Sequence, residues 1–181
     1  MGFLSQLFGR DKALTRDARR IYDSLMGQSR LAGFYGTGRV TDNYDGRIDV
    51  LTLHMAVMLK ALKAHDEQGG ALAQALFDEM KDDFEIALRE EGISDTGVKK
   101  RIKPMISLFY DRVKAYTQAI ISDAPDTEMV KALATFHADA SDAFLANMAR
   151  YSLKFAKALD GKALGALALT DFTYPAFKHK I

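Results

Sequence analysis

The sequence predicts an all-α protein: a single-domain helical bundle of about six to seven helices, with a long ordered loop before a central apolar helix. Three observations lead there. Apolar residues recur at three- and four-residue spacing along most of the chain, and no strand-like alternation survives beyond a few residues. Ile48 to Leu62, IDVLTLHMAVMLKAL, is apolar nearly all round, as the buried centre of a bundle is. Finally, 181 residues, 48% of them hydrophobic, bury a sizeable core in one domain and leave no room for two large ones.

The elements follow in order. Residues 1–12, MGFLSQLFGRDK, read as a flexible or membrane-surface segment ahead of a helical domain over 13–181. The segment lacks a secretory h-region, and Gln6 occupies the place where a myristoylation pattern wants Ser or Thr. Its apolar residues Phe3, Leu4, Leu7 and Phe8, backed by Arg10 and Lys12, suit either a headgroup layer or docking on the domain. A first helix over Leu14 to Gln28 puts Ala18, Ile21, Tyr22 and Leu25 on one face. Ala32 to Gly46, with four glycines and several Asp and Asn residues, is the loop.

Asp45 is the expected cap of the second helix, in which Ile48, Leu51, Met55, Met58 and Leu62 share a stripe. At 15 residues and with Asp49, His54 and Lys60 inside, Ile48 to Leu62 is shorter than the ~20 residues a membrane span needs. Gly69-Gly70 reads as a break before a third helix over Ala71 to Glu91. Ser94 or Asp95 caps a fourth, Thr96 to Ile121, kinked by Pro104. Proline at the favoured first position opens a fifth helix over about Asp126 to Ala138, followed by Asp139 to Leu159 and a short Lys162 to Leu169. Phe172, Tyr174 and Phe177 in the tail are expected to pack back onto the bundle.

Chemistry is sparse. Net charge is +1, from 25 basic and 24 acidic residues, which argues against a general polyanion binder. The lack of cysteine removes disulfides, thiolate metal sites and a cysteine nucleophile. Gly36 and Gly38 lack the third glycine of a dinucleotide fingerprint, and there is no P-loop. The half-loop Thr41 to Gly46 fails as an EF-hand because Thr41 and Thr52 stand where acidic ligands belong. His54, His65, His137 and His179 fit no zinc or di-iron pattern. No cofactor, metal site or catalytic constellation is expected, and the chain reads as a non-enzyme. His54 on its apolar helix suits a hydrogen-bonded core position; a haem or small-molecule carrier is the alternative.

Two features remain. Lys99, Lys100, Arg101 and Lys103 crowd the start of the fourth helix, where positive charge opposes the macrodipole. Their partner is either internal, Glu90 and Glu91, or an external phosphate or acidic surface. Met55, Met58, Met80 and Met105 lie on three helices and suit either a core or an adaptable apolar surface.

Phe34 to Leu62 then carries a resemblance. The aromatic pair Phe34-Tyr35, the step Val40-x-Asp42, the run Asp45-Gly46-Arg47-x-Asp49 and then Leu51, Leu53 and His54 resemble the signature of the ubiquinol–cytochrome c chaperone family. The match continues through Gly97 to Lys103 and on to Met105, Phe109, Tyr110 and Arg112. In the next helix Thr135, Phe136 and His137 stand where the family tends to carry an Arg-Asn-apolar-Tyr step.

The resemblance implies an assembly factor for respiratory complex III that binds newly made cytochrome b, with the ribosome or a second assembly factor as further partners and no sequence-specific nucleic acid. No mitochondrial presequence stands out, so the expected location is the cytoplasmic face of a bacterial inner membrane; the alternative is the matrix side of the mitochondrial inner membrane. A client groove is expected between the Phe34–Tyr44 loop and the second and fourth helices. Phe34 and Tyr35, if exposed, and Met55, Met58 and Met105 are its expected contacts, while Asp42, Asp45, Gly46, Arg47 and Asp49 hold the loop, with Arg47 paired to Asp42 or Asp49. A peripheral membrane scaffold without a dedicated client is the other reading.

Overall fold

The computed structural model describes residues 3–177, with side chains from residue 12 onward. Seven α-helices follow one another: α1 (Phe3–Ser29), α2 (Tyr44–Lys63), α3 (Asp66–Glu90), α4 (Asp95–Ile120), α5 (Pro125–Phe136), α6 (Asp142–Leu159) and α7 (Leu164–Ala168). Among the described residues there is no strand, and the single β-bridge joins Tyr35 to Val40. α1 starts well ahead of the expected Leu14. The side chains of Phe3, Leu4, Leu7 and Phe8, and His179 as a whole, lie outside the described residues.

The nearly all-apolar sequence of α2 is satisfied by making it the axis of the bundle: α1, α3, α4 and α6 all pack against it. Leu51, Met55, Met58 and Leu62 meet Ile21, Leu25, Leu76 and Met80 in one core. Val50, Leu53 and Ala56 meet Tyr116, Met129, Phe144 and Met148 in a second. Each large side chain so buried is worth about 1.5–3 kcal/mol over leaving it in water.

Local chemistry sets the helix ends. Ser94 and Ser141 cap α4 and α6, accepting from the Gly97 and Phe144 amides. For α2 the cap is Asn43, not Asp45: the Asn43 side chain accepts from the Gly46 amide at 2.8 Å, leaving Asp45 in the first turn, where its charge favours the positive end of the helix dipole. Gly69-Gly70 is not a break. Both residues lie within the first turns of α3, and a Cβ on Gly69 would overlap the Leu62 carbonyl oxygen, so glycine lets α2 and α3 meet at a tight corner. α4 continues through Pro104.

The tail returns as expected. Tyr174 bonds Ser24 at 2.8 Å and lies 4.9 Å from the Phe155 ring, and Phe177 stacks on Phe34 at 4.2 Å.

Candidate functional site

The motif loop is a rigid hub. Tyr35 donates to the Ser29 carbonyl at 2.6 Å, the Val40 amide to Phe34 at 3.2 Å, and both the amide and the hydroxyl of Ser141 reach the Gly38 carbonyl, tying the loop to α6. Gly38 sits at φ +68°, a conformation that side chains disfavour. Gly46 has no room for a Cβ, which would overlap the Thr41 carbonyl oxygen. Arg47 pairs with Asp42 at 2.8 Å, one of the two partners expected for it.

The other, Asp49, turns inward to Arg112 of α4 at 2.9 Å, both side chains being largely buried. Burial holds the Asp49 carboxyl up at about 6, the Arg112 guanidinium offsetting only part of that cost. Arg112 also lies 4.9 Å over the Phe136 ring. Beside the pair, His137 is buried, and burial together with the Arg112 charge pushes its imidazole down to about 4. Asp45, Asp49 and His137 line a chamber of 160 Å³ closed by Arg39 and residues 136–140. The Arg39 and Arg112 Nε atoms, the Tyr116 hydroxyl and His137 Nε2 are buried there or nearby with no hydrogen-bond partner among the described residues.

His54 is fully buried between two partners. Nδ1 faces the Val50 carbonyl at 2.8 Å and Nε2 the Tyr151 hydroxyl at 2.7 Å. A neutral ring that donates from Nδ1 and accepts at Nε2 satisfies both contacts, and Gln28 in turn donates to Tyr151 at 2.9 Å. Burial holds this imidazole down at about 4. With both nitrogens engaged, His54 has no free lone pair for haem iron, so a carrier built on it lacks its ligand. Among the described residues no cluster of three or more His, Asp or Glu is arranged for a metal ion.

The expected client contacts are mostly core. Phe34, Met55 and Met58 are wholly buried and Tyr35 is 8% exposed. Phe34 is covered by Phe177, Tyr151 and His54, and the two methionines by α1 and α3, so none presents a surface to a partner in this conformation. Met105 is partly exposed.

The expected groove against α4 is replaced by the polar chamber. The apolar cleft lies on the opposite side of the motif helix, between α1, α2 and α3. It measures 230 Å³ and is walled by Met26, Ile48, Leu51, Phe84 and Ala87. Tyr44, Arg30, Arg47 and Asp83 form its rim. Tyr44 is 42% exposed, and so, at 53%, is Ile86, which neighbours Ala87 and Asp83 on α3.

The basic block occupies the first turns of α4, just past the α3–α4 turn. Lys99, Lys100, Arg101 and Lys103 are all exposed. None forms an ion pair among the described residues: the α3–α4 turn instead joins Arg89 to Asp95 and Glu85, leaving Glu90 and Glu91 aside.

Tyr44, Arg112, Tyr116 and His137 were not legible as site residues from local pattern. Arg112 carries a signal nonetheless, as a cation on the inward margin of an apolar stripe that has to meet a buried anion.

Comparison with known proteins matches this arrangement to one family. A family model described as ubiquinol-cytochrome C chaperone matches residues 37–174. The crystal structure of the Cbp3 homolog from Brucella abortus is similar at a TM-score of 0.78 and 30% identity, covering 97% of this chain and 98% of that chain. No curated protein matches.

Proposed function

The chain belongs to the ubiquinol–cytochrome c chaperone family, and from that premise we propose that it holds newly made cytochrome b while ubiquinol–cytochrome c reductase is assembled, as a binding protein and not a catalyst. The observation that carries this reading is the cleft between α1, α2 and α3: an apolar recess bounded by the exposed Tyr44 and a mixed-charge rim of Arg30, Arg47 and Asp83. A client with many membrane-spanning helices exposes apolar side chains before it is packed, and such a recess shields one at a time. Methionine and isoleucine walls adapt to different side chains. With no nucleotide motif in the sequence, release depends on differential affinity: once cytochrome b packs against its own partners, its apolar side chains leave the cleft.

No described helix is long and apolar enough to cross a membrane. We propose that the protein meets its client at the cytoplasmic face of the membrane.

The test is crosslinking of cytochrome b to the full chain in cells, comparing wild type with Ala87→Phe, which fills the cleft from its wall. The filled cleft is expected to lower capture at least tenfold while the melting temperature stays within a few degrees. Capture at wild-type level by a folded Ala87→Phe protein contradicts the assignment.

A further inference from the structure

The solvent side of α4 carries cations with no ion-pair partner among the described residues. The helix packs through Val98, Ile102, Phe109, Tyr116 and Ala119, all buried. Along the margin of its exposed surface next to α3, Lys99, Lys103, Tyr110 and Lys114 succeed one another at helical spacing in a single stripe, all exposed, with Lys100 beside it and Arg101 on the opposite margin. The ion pairs that α4 does make run through Asp95 and Arg112, so these five cations are free of carboxylate partners among the described residues. Asp111 subtracts one charge from the same face. Four of the five sit near the helix N-terminus, where the backbone dipole disfavours them, and no carboxylate among the described residues pairs with them.

Two large apolar residues of α4 are about half exposed. Tyr110 is 53% exposed, its ring stacked 5.3 Å from Phe77 of α3 and so fixed beside Lys103 and Lys114. Leu108 is 52% exposed on the far margin, two turns beyond Arg101.

From this juxtaposition we propose that the outer face of α4 seats the protein on an anionic lipid bilayer. Lysines reach phosphate headgroups on flexible apolar stems, while the amphipathic Tyr110 among them meets the boundary between headgroup and acyl chain. The stripe shares no residue with the lining of the α1–α2–α3 cleft.

The test uses the full chain, without client, in sedimentation with vesicles of phosphatidylglycerol and phosphatidylcholine and with vesicles of phosphatidylcholine alone. Binding is expected on the anionic vesicles only and falls with added salt. Each cation at an anionic surface is worth about a fivefold change in partitioning, so Lys99→Gln with Lys103→Gln weakens binding roughly 25-fold. Tyr110→Ser weakens it separately. Lys131→Gln, whose lysine is already paired with Glu128 at 2.7 Å, leaves it unchanged.

The proposal is overturned if the double lysine variant, folded by circular dichroism, binds like wild type. It is also overturned if wild type ignores anionic vesicles or prefers a short RNA duplex to them. Attachment that survives the lysine changes but is lost when Phe3, Leu4, Leu7 and Phe8 become serine places the contact elsewhere and equally overturns it. Because no cytochrome b is present, these outcomes are independent of the chaperone reading.

Discussion

Replacing Arg112 by methionine keeps most of the side-chain volume but strips Asp49 of its counter-ion. Asp49 and Arg112 are each shielded from water, with 13% and 14% of their side chains exposed, and meet at 2.9 Å. Removing one member of a buried pair typically costs 3–5 kcal/mol, about a third of the total for a domain of marginal stability. At roughly 2–4 °C per kcal/mol for a chain of this size, the melting temperature falls about 10 °C.

The deficit depends on pH in a defined direction. The folded carboxyl is held at about 6, above its unfolded value of 3.8. Its contribution is therefore fully present below 3.8 and lost as pH rises through 6, so at pH 8 ionised Asp49 already costs about 3 kcal/mol. Without Arg112 the folded value rises further, so the deficit is largest at pH 8 and shrinks toward pH 5, where the acid is neutral in both proteins. Adding Asp49→Asn removes the stranded charge and restores most of the loss. Urea unfolding of the three variants at pH 8 and pH 5 measures all of this. A deficit equal at both pH values, or a double variant as unstable as the sum of the singles, refutes the buried-pair account.

Two further outcomes follow from the motif region. Gly46→Ala places a methyl on the Thr41 carbonyl oxygen and displaces the loop, at a cost of about 1–3 kcal/mol read by chemical denaturation. His54 and His137 are both held near 4 by burial, below the usual 6.5, so the stability they permit is complete above 6.5 and is lost as pH falls through 4. Each costs up to about 3 kcal/mol across that window while Asp49 gains part of it back, and His54→Phe therefore makes the acid limb of a pH–melting curve less steep.

The helices were legible because their apolar stripes are local and strongly periodic, as in Leu72, Leu76, Met80, Phe84 and Leu88 of α3. The loop residues were legible too, since Asp42 and Arg47 lie close in sequence and Gly46 precedes a tightly packed helix. Other features depend on distant chain. Phe34 is a core residue only because Phe177 folds over it, and Asp49 is an inward charge only because α4 delivers Arg112. Gly69-Gly70 looked like a break because glycine weakens isolated helices; its close approach to Leu62 is visible only in three dimensions. The α1–α2–α3 cleft joins residues far apart in sequence, and no local pattern announces it.

The account's central claim is tested most directly by a reduced-minus-oxidised haem spectrum of membranes from cells lacking this protein, with cytochrome b immunoblotted alongside. Selective loss of cytochrome b and of complex III absorbance, with the other oxidases intact and restored by the wild-type gene but not by a cleft-filled one, is the predicted result. Cytochrome b at normal level and fully haemylated contradicts it.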